Sequence, residues 1–130
     1  MEIRDYGNDL IAQDIKKLKK YKSLKKDLDV YKEYHTNQII EENNLSCKKY
    51  SGKTTRGDVF WVGKQRIKIT NPKTTESNGC RLWFMILFLP KETLYLRMLL
   101  YEVKDEKNYP KSICLKTIEE RLRLLGISSQ

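Results

Sequence analysis

KQRIKI, residues 64–69, is the stretch of sequence from which the rest of the fold can be worked out. Its side chains alternate between two faces, as they do in a β-strand with one buried face. The face predicted to look outward carries Lys64, Arg66 and Lys68, and the face predicted to look inward carries Gln65, Ile67 and Ile69. Three cations on one strand face repel each other, which favours an anionic partner, although a solvated face that keeps the protein soluble explains the pattern as well.

Two further apolar runs follow, and each carries a cation. RLWFMILFL, residues 81–89, is apolar on both faces, which is typical of a central strand covered on both sides. Residues 93–104 alternate again. The alternation predicts one face with Leu94, Leu96, Met98 and Leu100, and another with Tyr95, Arg97 and Tyr101. Before the basic strand, residues 59–62 predict a short strand and Gly63 a bulge.

Helical periodicity dominates the two ends of the chain. Apolar residues between positions 10 and 21, and again between 24 and 34, predict two helices, with Ser23 as the N-cap of the second. The segment before them, residues 1–7, predicts a short edge strand. A last helix is predicted to begin near Tyr109-Pro110 and to end at Gly126. Its predicted apolar stripe is Ile113, Ile118, Leu122 and Leu125.

Two polar segments predict loops. Residues 37–58 are expected to form a connecting loop or lid, and residues 71–79 a turn-rich loop. The resulting fold class is α+β, a small antiparallel sheet covered on one face by an N-terminal helical hairpin, with a short C-terminal helix, in a single domain of residues 1–130. The predicted core comprises Leu18, Leu28, Ile67, Phe84, Ile86 and Leu100. The opposite sheet face, or part of it, is expected to stay open and to expose Arg66, Lys68, Arg97 and Tyr101.

Charge and cysteine content narrow the choice of partner and compartment. A formal net charge of +9 favours nucleic acid, an anionic membrane or an acidic protein. The three cysteines are widely spaced and His35 is the only histidine, so no zinc site is predicted, and an odd cysteine count suggests a reducing cytoplasm. The N-terminal residues lack a signal-peptide pattern, and residues 82–89 are too few to span a membrane.

Four segments, in this order and spacing, resemble the RelE/ParE superfamily of toxins from type II toxin–antitoxin systems, and its RelE/HigB-like members in particular. They are the lysine-rich DIKKLKKYKSLKKDL at residues 14–28, RIKI at 66–69, GCRLWF at 79–84 and the strand and basic loop of residues 99–109. The resemblance covers most of residues 8–125. It implies a small antiparallel sheet with a helical hairpin, and cleavage of messenger RNA, usually within the ribosomal A site.

The resemblance also implies the partners and the site. The partners would be messenger RNA, the ribosome and a cognate antitoxin, with no cofactor and no membrane. In ParE-like relatives the target is DNA gyrase instead, and a non-catalytic RNA- or protein-binding domain is a third alternative. The residues that match catalytic positions are Arg66, Lys68, Arg81, Lys107 and Tyr109, and those expected to contact RNA are Lys64, Arg97, Tyr101 and Lys104. Of these, Arg81 is expected to hold two phosphate oxygens with its planar fork.

This chain also departs from the family pattern at three places. Asp105 and Glu106 stand where some members have arginine, which leaves the general acid open. The loop before Arg81 is longer than a short hairpin, and His35 lies in the helical region instead of late in the chain. Without a histidine pair, such an enzyme would depend on positioning its substrate.

Overall fold

A computed structural model describes residues 2–130, which form an α+β fold around one five-stranded sheet. The elements are β1 Ile3–Asp5, the 3-10 helix η1 Asp9–Ile11, α1 Ala12–Lys17, α2 Leu24–Glu42, β2 Lys48–Lys53, β3 Val59–Ile67, β4 Cys80–Phe88, β5 Thr93–Glu102, the 3-10 helix η2 Val103–Asn108 and α3 Lys111–Arg123. The strand order is β1-β5-β4-β3-β2. Strand β1 runs parallel to β5 and the other pairs are antiparallel, so the predicted purely antiparallel sheet is wrong. A parallel pair of strands needs a long connection, and most of the chain lies between β1 and β5.

One face of the sheet packs against side chains of α2. Leu24, Leu28 and Ile39 of α2 belong to the same buried cluster as Phe84 and Ile86 of β4. All six predicted core residues lie in this cluster with at most 4% of their surface exposed, which confirms their burial. A fully buried Leu, Ile or Phe side chain contributes roughly 1.5–3 kcal/mol, so this cluster is a main source of stability.

The other face is open only in part, because α3 packs against it, while Arg66 and Lys68 remain exposed. Cys114, Ile118 and Leu122 of α3 pack with Trp83 and Met85 of β4. Strand β4 is therefore buried on both faces, as its apolar sequence predicted. The predicted stripe of α3 is partly wrong, since Ile113 is 41% exposed and Cys114, one residue later, takes its place. Helix α3 ends at Arg123 with Leu124 as its C-cap, two residues before the predicted cap, and Gly126 follows with a φ of +74°.

An irregularity in β5 changes which residues share a face. Trp83 pairs with Leu99 and Phe84 with Arg97, so Met98 is an extra residue in the ladder. A bulge of this kind shifts the alternation by one position. Tyr101 therefore lies on the α3 face and Arg97 on the α2 face, whereas uninterrupted alternation predicted one face for both.

The segment of residues 37–58 is more regular than the predicted loop or lid. Helix α2 continues to Glu42, where Asn43 ends it in the left-handed conformation, and β2 then adds an edge strand to the sheet. Gly63 pairs in register with Phe84, and the irregularity lies across from it in β2, between Lys48 and Tyr50. A Cβ at position 63 would lie 2.5 Å from the Phe84 ring, so glycine is needed there for packing.

No helix within residues 2–130 is long and apolar enough to cross a membrane.

His35 is fully buried, and its side chain packs in the hydrophobic core. Its ring stacks on Phe84 with centroids 4.1 Å apart. Its Nε2 lies 2.8 Å from Gln65 Oε1, and its Nδ1 lies 2.9 Å from the Tyr95 hydroxyl. Because an amide oxygen can only accept, Nε2 carries the proton and the Tyr95 hydroxyl donates to Nδ1. Burial lowers the pKa of His35 to about 4, so the ring is neutral at physiological pH.

Acid is expected to destabilise the protein through His35. In the unfolded chain this histidine takes up a proton as the pH falls through about 6.5, while the folded state excludes the proton until about pH 4. Its contribution is complete above pH 6.5, and the free energy of unfolding should fall by about 2 kcal/mol between pH 6.5 and 5. Urea denaturation at each pH measures the fall, and NMR titration of the imidazole measures its pKa directly. In His35→Gln the fall should disappear, and an imidazole pKa near 6.5 in the wild type would contradict the prediction.

Candidate nucleic-acid interface

Strand register brings the basic residues together at one end of the α3 face. Arg66 of β3 is directly opposite Arg81 of β4, and Arg81 is directly opposite Tyr101 of β5. One pair further along, Lys64 is opposite Trp83. Opposed residues in a sheet share a face, so Lys64, Arg66 and Arg81 form one group. We call these three residues and Lys68, which lies just past the end of β3, the cationic cluster.

The side chain of Arg81 is 95% buried and held by the loop that precedes β4. Its Nη1 donates to the carbonyls of Glu76 and Cys80 at 3.0 and 3.2 Å, and its Nη2 donates to the carbonyl of Ser77 at 3.2 Å. Its Nε lies 3.5 Å from Glu106 Oε1. The planar fork that was expected to hold two phosphate oxygens is therefore occupied by backbone carbonyls in this structure. The guanidinium instead fixes the loop, and Gly79 makes this possible because a Cβ there would collide with the Ile67 carbonyl.

The exposed cations of the cluster are Arg66 and Lys68. Neither side chain has a hydrogen bond or an ion pair with any residue in the range 2–130. Lys64 is more enclosed, with its Nζ 3.2 Å from Glu106 Oε1 and 5.5 Å from the centroid of the Trp83 ring. Arg66 is thus the guanidinium best placed to receive an anion from solvent, because its donors are free.

Helix α2 holds the chain just beyond Lys68. Asp27, 7% exposed, accepts hydrogen bonds from the backbone N–H and the hydroxyl of Thr70 at 2.9 and 2.6 Å. The Tyr31 hydroxyl accepts from the backbone N–H of Lys68 at 2.9 Å. Sequence reasoning missed Asp27, whose only visible signal was an acidic residue in the first turn of a helix. These bonds fix the backbone that carries Lys68.

Tyr101 and Tyr109 form a stacked pair at the edge of the cluster. Their rings are 4.3 Å apart and nearly parallel, and Trp83 Nε1 donates to the Tyr101 hydroxyl at 3.2 Å. Tyr101 is 3% exposed, so the expectation that it looks outward to stack on RNA is wrong. Burial also raises the pKa of Tyr101, which makes it a poor proton donor. Tyr109 lies over it, half-buried, and Lys107 nearby is exposed.

The two remaining predicted RNA contacts have other partners. Arg97 is 1% exposed on the α2 face, where it pairs with Asp5 at 3.2 Å and Asp29 at 3.0 Å. Its predicted place on the open face is wrong, because the bulge that follows it separates it from Tyr101. Lys104 is exposed and pairs with Glu102 at 3.3 Å.

Within the described residues 2–130 there is neither a thiolate nor a group of metal ligands. Burial raises the pKa of Cys47 to about 11 and that of Cys80 to about 12, and it also raises the pKa of Cys114. These thiols are therefore protonated at neutral pH and are weak nucleophiles. Across residues 2–130, no group of three or more His, Cys, Asp or Glu side chains is arranged to hold a metal ion.

Comparison of the chain with protein-family models, with curated proteins and with solved structures found no match.

Proposed function

We propose that this protein is a RelE-like toxin that binds messenger RNA on the ribosome and cleaves it. The observation that carries the proposal is the cationic cluster, in which the exposed Arg66 and Lys68 stand beside Lys64 and Arg81 on neighbouring strands. Directly opposed cations destabilise a sheet, and although Glu106 offsets part of the charge of Lys64 and Arg81, no residue in the range 2–130 forms an ion pair with Arg66 or Lys68. A phosphodiester is an anion whose oxygens suit a guanidinium fork.

Cleavage by the ribose 2′-OH needs cations that stabilise the pentavalent phosphorane. In our proposal Arg66 contacts the phosphate and Lys64 and Lys68 supply further charge. Arg81 acts as a positioning residue through the loop that it holds, and a direct contact from Arg81 would require this loop to move. Tyr109, which stacks on Tyr101, and Lys107, two residues before it in the chain, are the candidates for the proton that the leaving oxygen needs.

The proposal includes an acidic antitoxin as the protein partner. Its support is the net charge of +9 together with apolar side chains exposed on α2, namely Val30 at 63%, Tyr34 at 53% and Ile40 at 50%. The helical pair over one sheet face, which the resemblance implies, is consistent with the cluster that Leu18, Leu24 and Leu28 share with the sheet. A short neighbouring reading frame that encodes such an acidic protein would support the proposal, and co-expression should then restore growth.

One observation favours a second candidate, an RNA-binding domain that does not cleave. Three of the five N–H groups of Arg81 already donate to backbone carbonyls. His35, the one histidine, is buried in the core. The surface therefore holds charge for binding but few groups with a pKa near neutrality. The gyrase-inhibitor alternative gains no specific support from these residues.

Primer extension on a translated message, with and without expression of the protein, tests the proposal. We expect cuts within the reading frame that disappear when the start codon of the message is removed. Ribosome or RNA binding without cuts would replace the enzyme with the non-cleaving binder. Growth arrest with DNA damage and no cuts would favour the gyrase inhibitor.

Salt should weaken RNA binding steeply if the cationic cluster holds phosphates. Each phosphate neutralised on a single strand contributes a slope of about −0.7 to the logarithm of the binding constant against the logarithm of salt concentration. Arg66→Ala should make the slope shallower by about 0.7. Fluorescence anisotropy with a labelled single-stranded RNA over a salt series measures both values. A wild-type slope near zero would show that the cluster does not bind the RNA backbone.

A further inference from the structure

A carboxylate lies inside the cationic cluster and has no obvious role in binding RNA. Glu106 Oε1 is 3.2 Å from Lys64 Nζ and 3.5 Å from Arg81 Nε. The side chain is 40% exposed, and Oε2 has no hydrogen bond with any residue in the range 2–130. One oxygen thus faces the cations while the other is available to a ligand.

The backbone around Glu106 is fixed at both ends of η2. The N–H of Val103 donates to the Gly79 carbonyl at 3.0 Å, which joins the start of η2 to the loop that holds Arg81. At the other end, the N–H of Tyr109 donates to the Glu106 carbonyl at 3.0 Å, and the Tyr109 ring stacks on Tyr101. Glu106 is therefore held beside the cations by the fold, which is what a catalytic group requires.

Glu106 offsets part of the charge of Lys64 and Arg81 through Oε1, but this charge pairing does not account for the position of its Oε2. The Arg81 guanidinium is already satisfied by closer carbonyls, at 3.0 to 3.2 Å. A carboxylate near a phosphate repels it, so a surface that only binds RNA would bind more tightly without Glu106. Cleavage through the 2′-OH, in contrast, needs a proton acceptor close to the bound phosphate. The cluster contains no histidine that could accept this proton.

We propose that Glu106 is the general base of the cleavage, an assignment that rests on the proposed endonuclease function. Oε2 of Glu106 takes the proton of the ribose 2′-OH, and O2′ forms a bond to phosphorus. The bond from phosphorus to O5′ breaks, and O5′ takes a proton from Lys107 or Tyr109, the candidates for the acid, which then regains a proton from water. The products are a 2′,3′-cyclic phosphate and a 5′-hydroxyl end, and Glu106 then returns its proton to solvent.

Glu106→Gln tests the assignment, since glutamine keeps the shape but accepts no proton. We expect the single-turnover rate of cleavage on ribosomes to fall at least 100-fold. RNA affinity should stay equal or rise, because a negative charge is removed. The rise of the rate with pH on the acidic side should be lost, which a structural role would not cause. Glu106→Asp should retain part of the activity, and the exposed Glu41→Gln, the matched control, should cut like the wild type.

The outcomes separate this assignment from the function on which it rests. Wild-type cleavage with an equal rate for Glu106→Gln overturns the assignment alone, and tighter RNA binding would then make Glu106 a counter-ion that RNA displaces. An unchanged pH profile in a slow but folded Glu106→Gln also overturns it. Absence of cleavage by the wild type overturns the proposed function and the assignment with it. Thermal melts of both Glu106 variants identify any loss that comes from unfolding.

Discussion

Arg66→Ala is expected to reduce cleavage of a translated message about 100-fold and to leave the fold intact. The loss of one preorganised contact to the transition state costs about 3 kcal/mol, which corresponds to that factor. Arg66 is exposed and its guanidinium has no partner among residues 2–130, so alanine removes charge without opening a cavity. Single-turnover primer extension gives the rate, and a thermal melt checks that the melting temperature is unchanged.

Arg56→Ala is the matched control for this prediction. Arg56 is also exposed, but it precedes β3 and so lies at the opposite end of that strand from Arg66. The Arg56→Ala variant should cut at the wild-type rate. Arg66→Lys should be intermediate, because lysine keeps the charge but not the planar fork. Equal cleavage by Arg66→Ala and the wild type would show that Arg66 does not contact the reacting phosphate.

Arg81→Ala is a less informative test, although the sequence analysis favoured Arg81 as the residue that holds the phosphate. Alanine would remove the donors that hold the carbonyls of Glu76, Cys80 and Ser77, so a loss of activity could come from the loop. The sequence revealed a cation at the start of a strand. It could not reveal that three backbone carbonyls converge on that cation, because a loop conformation decides where they point.

Periodic patterns were the part of the fold that the sequence predicted best. The alternation of residues 64–69 correctly placed Ile67 and Ile69 in the core, and the apolar run of β4 correctly indicated a central strand. Both patterns extend over several residues, so a single residue that departs from the pattern does not change the prediction. The bulge at Met98 has no such repetition, and one extra residue there was enough to put Arg97 and Tyr101 on opposite faces.

Long-range ion pairs were beyond the reach of pattern reasoning. Arg97 pairs with Asp5, which lies 92 positions away in the sequence, and with Asp29, which lies 68 positions away. A cation on a strand is usually solvated, and only the tertiary structure shows that this one is paired and buried. For the same reason the sequence showed Glu106 only as a departure from the family pattern, because its distance to Lys64 depends on the path of η2.

The ion pair of Asp14 with Arg121 is the interaction whose loss should destabilise the fold most. Strand β1 pairs with β5 only over Thr93–Tyr95, which leaves the later residues of that edge without a strand partner. Asp14 Oδ2 accepts from the backbone N–H of Leu100 at 3.0 Å, and Arg121 Nη1 donates to the Met98 carbonyl at 2.9 Å. The two side chains also bind each other through two hydrogen bonds, of 2.6 and 2.9 Å. Together they satisfy backbone groups that a neighbouring strand would otherwise satisfy.

Asp14→Ala should therefore lower the free energy of unfolding by about 3–5 kcal/mol, the usual cost of removing one partner from a buried ion pair. The variant leaves the Arg121 guanidinium unpaired and the Leu100 N–H without an acceptor, and each is costly in a region where Asp14 is only 6% exposed. Urea denaturation measures the loss. Asp9→Ala, an exposed change a few residues earlier, should cost less than about 0.5 kcal/mol.

The double variant Asp14→Ala/Arg121→Ala tests the ion pair itself. Each single variant already removes the whole pair, so the double variant should lose less free energy of unfolding than the sum of the two single losses. Additive losses would mean that Asp14 and Arg121 stabilise the β5 edge independently, and the ion pair itself would then contribute little.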